Sequence, residues 1–181
     1  MAAAFDEHDI QKIETLLDAK PELIYYYDNN NVGIMDYGLY NLDTGLMKKA
    51  AELGAVYDDP RHFDNMIFYS SLESFYSELY YPDNTQQDPL YKERETTDEI
   101  IEAVRFAIEN GAEIMYDESS YKVKKYKPHN FYEQTFLWVN LDETISAKDK
   151  ELLALVESYM PDDWDKDSMK DKDWAGRQYI E

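Results

Sequence analysis

The sequence predicts an all-α fold made of short helices joined by tight turns. Apolar residues recur at helical spacing in several separate segments of the chain. Most of these segments end at a glycine or a proline, which are residues that terminate helices. Hydrophobic residues make up 44% of the sequence, which is enough for a core, so the charged content of 31% does not indicate disorder.

The first predicted helix spans residues 7–19, and its apolar face carries Ile10, Ile13, Leu16 and Leu17. It ends before Pro21, because proline disfavours helical geometry in the residue that precedes it. The next stretch, residues 22–33, carries β-branched and aromatic residues into a run of Asp and Asn that favours a turn. This stretch predicts an extended finger followed by a turn.

Two further helices are predicted after the finger. The first begins at Ile34, and the second is capped by Asp43 or Thr44, whose side chains can accept a hydrogen bond from the first turn. The second helix ends at Gly54, since glycine readily adopts the left-handed geometry found at helix ends.

The same order of elements returns in the rest of the chain. A helix is predicted at residues 64–80, and another at 96–111, where threonines open the helix and a glycine closes it. The last predicted pair is an apolar segment at 131–141 and a capped helix at 146–160. Helices therefore account for every predicted element except the fingers and loops.

The helix ends share a pattern that indicates a repeat. Leu23 and Val56 follow two of these ends and are separated by about one 33-residue period, and the glycine-alanine pair at 54–55 recurs at 111–112. This period and this turn resemble the ankyrin-repeat family. The resemblance implies a short helical-repeat solenoid whose extended finger loops and inner helices form a concave binding face. A non-repetitive helical bundle that uses the same common helix ending is the alternative.

The resemblance also sets the expected organisation of the chain. The separation of Val56 and Ile114 along the chain exceeds one such unit, so one repeat is enlarged. We expect residues 1–160 to form degenerate ankyrin-like repeats with an insertion at about 60–96. Residues 161–181 are expected to form an acidic C-terminal cap or tail.

The charge balance favours a basic protein as partner. The chain carries 39 acidic and 18 basic residues, which gives a formal net charge of -21. A field of this strength disfavours direct contact with nucleic acid or anionic membranes and steers association toward positive surfaces. The alternative is that the acidity serves solubility alone.

The sequence carries no signal for catalysis or for a cofactor. It has no cysteine and only three widely separated histidines, and it lacks a glycine-rich phosphate loop. It has neither an N-terminal signal nor an apolar run long enough to span a membrane. We expect a cytoplasmic protein that is not an enzyme and binds no metal or cofactor, with a metal-assisted hydrolase that uses clustered carboxylates as a less favoured class.

Tyrosine is abundant, with 17 copies in the chain. Its ring gives a large contact area at a low cost in side-chain entropy, and its hydroxyl can donate, which is why recognition surfaces favour it. Tyrosines that coincide with carboxylates in the predicted fingers are the expected partner-binding residues. These are Tyr25, Tyr27, Asp28, Tyr57, Asp58, Asp59, Tyr116 and Asp117.

These observations lead to an expected function of protein binding. The first expectation is a stoichiometric inhibitor or antidote that covers the basic, nucleic-acid-binding surface of a nuclease-type target. A phage anti-defence protein, such as an anti-CRISPR protein, and a toxin-immunity protein are the two settings that fit. The alternative is a general ankyrin-like adaptor or effector, since a fold does not determine a function.

Overall fold

Helices dominate the part of the chain that the structure describes. The structure is a computed structural model, and it describes residues 1–7, 9–28, 32–57, 95–114 and 146–162 together with Leu72 and Phe75. The helices in these ranges are α1 (Ala2–Asp6), α2 (Ile10–Ala19), a 3-10 helix (Pro21–Tyr25), α3 (Ile34–Tyr40), α4 (Thr44–Glu52), α5 (Asp98–Glu109) and α6 (Ala147–Glu157). The predicted mainly α class is confirmed for the described residues.

Several predicted elements lie outside the described residues. The apolar segment at 131–141 and the tail after residue 162 are among them. Within the insertion predicted at about 60–96, the structure describes Leu72, Phe75 and residues 95–96. Leu72 and Phe75 are both helical and both buried, so this part of the insertion contributes to the core.

The predicted starts of α3, α4, α5 and α6 agree with the structure to within two residues, whereas the helix predicted from residue 7 begins at Ile10. Capping by side chains explains the agreement at α4 and α6. The Asp43 carboxylate accepts a hydrogen bond from the Leu46 backbone N–H at 2.9 Å. Ser146 and Asp149 form a reciprocal capping box at the start of α6. The Asp149 side chain is 1% exposed, and its second oxygen accepts a hydrogen bond of 2.5 Å from the Thr96 hydroxyl. This bond ties the start of α6 to the residues that precede α5.

The predicted finger is partly wrong. Residues 21–25 form a 3-10 helix, where the predicted finger was extended from residue 22, since Pro21 suits the first position of a helix, where no N–H is needed. The extended part is shorter and begins at Tyr26. An isolated antiparallel bridge then joins Tyr27 to Gly33. Beside this bridge, the Asp28 carboxylate accepts a hydrogen bond from the Val32 N–H at 2.8 Å.

Ion pairs join four helices in the order α2, α4, α5 and α6, and contacts between residues that follow the helix ends indicate that the four run in the same direction; we call them the outer row. One ion pair joins each neighbouring pair of helices. These pairs are Asp18–Lys49, Lys48–Glu102 and Asp98–Lys148. A contact beyond the helix ends also indicates that α4 and α5 are parallel, because the Tyr57 N–H after α4 donates to the Asn110 carbonyl after α5 at 3.1 Å.

The outer helices α4 and α5 end in the same turn. Gly54 and Gly111 have φ angles of 92° and 101°, in the left-handed region that favours glycine. The next residues, Ala55 and Ala112, each donate a backbone hydrogen bond to the alanine carbonyl five positions earlier, at 3.0 and 2.9 Å. The N–H groups of Gly54 and Gly111 also donate, to the carbonyls of Ala51 and Ile108, at 2.9 and 3.2 Å. These two hydrogen bonds in each turn define the Schellman motif.

The shared turn corrects the register of the predicted repeat. Superposing the two glycines pairs Tyr57 with Ile114, whereas the sequence analysis paired Val56 with Ile114. Burial explains the difference, since Tyr57 is buried and Ile114 packs on the core, whereas Val56 is 47% exposed. The spacing between equivalent positions is therefore set by the glycines and not by the aliphatic residues.

The helices α1 and α3 pack on the inner side of α2 and α4. The rings of Phe5 and Tyr37 contact each other at a centroid distance of 4.6 Å, and Phe5 also meets Tyr26 at 5.5 Å. Buried side chains from all six α-helices form one core cluster. The helices thus bury their apolar faces against one another in a single core.

Candidate protein-binding surface

The structure describes four of the eight predicted binding residues, and it places them differently. Tyr25 is 49% exposed and lies at the end of the 3-10 helix, with its hydroxyl 3.8 Å from the position that a Cβ on Gly54 would occupy. Tyr27 and Asp28 are half-buried. The Tyr27 ring packs on Gly33 so closely that a Cβ there would lie 2.8 Å from the ring. Tyr27 and Asp28 therefore shape the finger turn.

Tyr57 is a structural residue, which corrects its predicted role. Its side chain is 3% exposed, and its hydroxyl donates to the Met35 carbonyl in α3 at 3.1 Å. Its backbone N–H binds the carbonyl of Asn110. Tyr57 thus connects the end of α4 to α3 and to the end of α5, and its side chain is not available to a partner.

The remaining four predicted residues lie outside the described residues. They are Asp58, Asp59, Tyr116 and Asp117. The predicted binding surface consequently rests on Tyr25 as its one clearly exposed member within the described part of the chain.

A second surface, which the sequence analysis missed, is formed where the outer row ends. We call it the C-terminal edge and define it as residues 18–25, 52–57, 109–114 and 157–162. These residues include seven acidic side chains and one lysine. The described parts of the row that precede it, residues 9–14, 43–49, 95–105 and 146–151, include nine acidic and six basic residues. Charge is therefore polarised along the row, and its C-terminal edge is the more acidic end.

This distribution of charge is the opposite of the one that the helix macrodipoles favour. The C-terminal end of a helix carries a partial negative charge, so carboxylates there are unfavourable and cations are favourable. Glu52, Glu109 and Glu157 are nevertheless the last residues of α4, α5 and α6. Among the outer-row helices only α4 has a basic residue in its last turn, Lys49, and this lysine binds back to Asp18 on α2 at 2.7 Å.

Exposed apolar side chains lie on the same edge. Within the described residues, the large hydrophobic side chains that are exposed are Tyr25, Val56 and Tyr159. The Tyr159 hydroxyl donates to a Glu109 carboxylate oxygen at 2.8 Å, which joins the ends of α5 and α6. This hydrogen bond is the main reason why the pKa of Tyr159 is raised above its ordinary value. The Tyr159 hydroxyl therefore keeps its proton, and its hydrogen bond to Glu109, to a higher pH than an ordinary tyrosine would.

The sequence contains a pattern that marks this edge, but the pattern can be interpreted only when the fold is known. A glutamate stands directly before the turn in α4, α5 and α6. A single glutamate at a helix end is unremarkable in a chain with 39 acidic residues. Because the outer-row helices are parallel, the three glutamates at their ends lie on the same side of the molecule.

Within the described ranges, the structure contains no group of three or more His, Asp or Glu residues that could hold a metal ion. The helices of the same ranges include none that is both long enough and apolar enough to cross a membrane. No family model, curated protein or solved structure matches the chain. Function is therefore argued from the surface itself.

Proposed function

We propose that this protein binds a basic protein partner stoichiometrically and covers that partner's nucleic-acid-binding surface. In this proposal it is an inhibitor or antidote of a nuclease-type target in the cytoplasm, such as a phage anti-defence protein or a toxin-immunity protein. The helix pairs serve as a degenerate ankyrin-like scaffold. The observation that carries the proposal is the acidic C-terminal edge, where carboxylates persist against the helix macrodipoles.

Electrostatics connects this edge to a basic partner. Each outer-row helix contributes a partial charge of roughly -0.5 at its C-terminal end. The glutamates that end three of the helices add full charges beside these dipoles. The repulsion between these carboxylates and the negative helix ends is relieved when a cationic surface binds. The negative field of the edge also accelerates association with such a surface. A lysine- and arginine-rich surface that otherwise binds phosphates supplies that cation density.

The repeat proposal rests on helix order and on the shared turn. Helix α1 starts at Ala2 and α3 at Ile34, while α2 starts at Ile10 and α4 at Thr44. Both offsets are close to the unit length of ankyrin arrays, which is about 33 residues. The stacked turns after α4 and α5 extend the same arrangement, with the enlarged unit between them.

Affinity capture from the native host, followed by a nucleic-acid-binding assay, tests the function. We expect capture of a basic protein whose binding to nucleic acid is lost when one equivalent of this protein is added. The proposal is contradicted if the captured protein is not basic, or if it still binds nucleic acid in the presence of excess protein.

Salt dependence separates this proposal from the adaptor function. Exposed Val56 and Tyr159 would also suit an apolar adaptor contact. Inhibition through charge predicts affinity that falls steeply between about 50 and 300 mM salt, because the Debye length shortens over this range. Affinity that is insensitive to salt would favour the adaptor.

A further inference from the structure

We propose that Asn110 is a site of spontaneous deamidation, and that opening of the turn after α5 sets the rate of this modification. Asn110 is the C-cap residue of α5 and is followed directly by Gly111. Asparagine precedes glycine at this one place in the sequence. The reaction involves no partner, so it is independent of the proposed function.

The chemistry requires only the chain itself and water. The backbone nitrogen of Gly111 loses its proton and attacks Cγ of Asn110. The bond between Cγ and Nδ2 then breaks, and Nδ2 takes up a proton and leaves as ammonia, so that a cyclic succinimide remains. Water opens this ring at either carbonyl, which gives aspartate or isoaspartate. Glycine favours the attack because it has no Cβ to obstruct the approach.

The folded turn keeps the two reacting groups apart. The Gly111 N–H donates to the Ile108 carbonyl at 3.2 Å. The Asn110 Nδ2 donates to the Phe106 carbonyl at 2.8 Å. At the Asn110 ψ angle of 24°, the Gly111 nitrogen is turned away from Cβ, whereas ring closure needs both atoms on the same side of the Cα–C bond. Ring closure therefore requires that both hydrogen bonds break and that ψ rotates.

The position of Asn110 makes this opening a local event. Gly111 is exposed and Asn110 is half-buried, so the site is accessible to water. Both hydrogen bonds lie within the last turn of α5, and helix ends open at a lower free-energy cost than the core. The Tyr57 N–H, which donates to the Asn110 carbonyl at 3.1 Å, links this turn to the end of α4.

Either product disrupts the end of α5. In isoaspartate the main chain is longer by the Cβ carbon, which displaces the Ala112 N–H from the Ala107 carbonyl, now 2.9 Å away. In aspartate a carboxylate replaces the amide donor and faces the Phe106 carbonyl, at the negative end of the helix dipole. Deamidation consequently loosens the contact between Asn110 and Tyr57 that joins α5 to α4.

Incubation of the full-length protein near neutral pH, both folded and in guanidinium chloride, tests the proposal. Digestion and mass spectrometry quantify the products at Asn110, and an enzymatic assay for isoaspartate separates the two forms. We expect conversion in both samples, about tenfold to a thousandfold slower in the folded one, because the turn opens only part of the time. Equal rates, or no product at Asn110 in the folded protein, would overturn the proposal.

Two matched variants identify the opening that controls the rate. Ala107→Gly weakens the end of α5, and Ala50→Gly weakens the equivalent position in α4, since both alanines are fully buried and accept the longer hydrogen bond of a Schellman motif. Neither substitution changes a reacting atom. We expect Ala107→Gly to accelerate deamidation about fivefold and Ala50→Gly less than about twofold. Equal acceleration would overturn the proposal, because global unfolding would then control the rate.

Hydrogen exchange of the Gly111 N–H in the wild-type protein provides a measurement that needs no variant. The same N–H must be released for exchange and for ring closure. We therefore expect folding to slow deamidation by at least the factor by which it slows this exchange. A smaller slowing of deamidation would overturn the proposal, since the ring would then close without opening of the turn.

Discussion

Replacing Glu52 and Glu109 by glutamine is expected to stabilise the protein while it weakens partner binding. Each glutamate is the last residue of its helix, where the macrodipole opposes a carboxylate. Removing one such charge contributes about 0.3–1 kcal/mol to the free energy of unfolding, so the double variant gains about 0.6–2 kcal/mol. Glutamine retains an oxygen that can accept the Tyr159 hydroxyl, so the bond at the end of α5 is kept.

Urea denaturation followed by circular dichroism measures this gain. In a thermal scan the gain corresponds to a Tm increase of about 1–8 °C for a chain of this size. The control Glu95→Gln/Glu99→Gln removes the same total charge but takes Glu99 from the first turn of α5, where a carboxylate is favourable. The reasoning is refuted if the edge variant is less stable than wild type, or if both variants change stability by the same amount.

Three further predictions test the interior and its turns. Tyr57→Phe removes the buried hydrogen bond to Met35 and is expected to lower the free energy of unfolding by about 0.5–1.5 kcal/mol without affecting partner binding. Weaker partner binding with unchanged stability would show that Tyr57 contacts the partner. Gly54→Ala and Gly111→Ala each place a side chain at a positive φ angle and are expected to cost about 1–2 kcal/mol in urea denaturation, whereas a neutral result would exclude the left-handed turn. Burial, with a smaller contribution from Asp9, raises the pKa of Tyr37. The folded state therefore holds its proton more tightly than the unfolded state, and stability falls as pH rises above 10.0, the ordinary pKa of tyrosine. Tyr37→Phe should reduce that fall in alkaline unfolding curves, and an unchanged slope would contradict the assignment.

Local chemistry explains which parts of the fold the sequence predicts correctly. Asp43 and Ser146 accept hydrogen bonds from N–H groups three residues ahead, so their effect is visible in the sequence. Gly54 and Gly111 end their helices because only glycine adopts their φ angles without strain. Both kinds of signal act within one helical turn, which is why tertiary structure does not override them.

Elements whose stability comes from tertiary contacts were predicted poorly. Helix α1 is five residues long and has no side-chain cap, and its packed residues Ala4 and Phe5 join the common core. A 3-10 helix stands at residues 21–25, where an extended finger was predicted, and its Ile24 is buried in the core. Helices this short are not stable alone, so the spacing of apolar residues in the sequence does not predict them well.

The candidate site shows the same limit. Tyr25, one of the expected partner-binding residues, is exposed. The sequence could not show that Tyr57 is buried between three elements, since its partners Met35 and Asn110 are distant in the chain. Nor could it show that the outer-row helices are parallel. The C-terminal edge depends on that direction, and so it emerges only from the folded chain.

Capture of the native partner by the matched variants tests the central claim most directly. Wild-type protein, Glu52→Gln/Glu109→Gln and Glu95→Gln/Glu99→Gln are immobilised in equal amounts, and the bound basic partner is quantified at about 150 mM salt. If the C-terminal edge is the binding surface, the first variant loses most of the partner, although it is the more stable protein, and the second retains it. Equal retention by both variants, or equal loss, would contradict the claim.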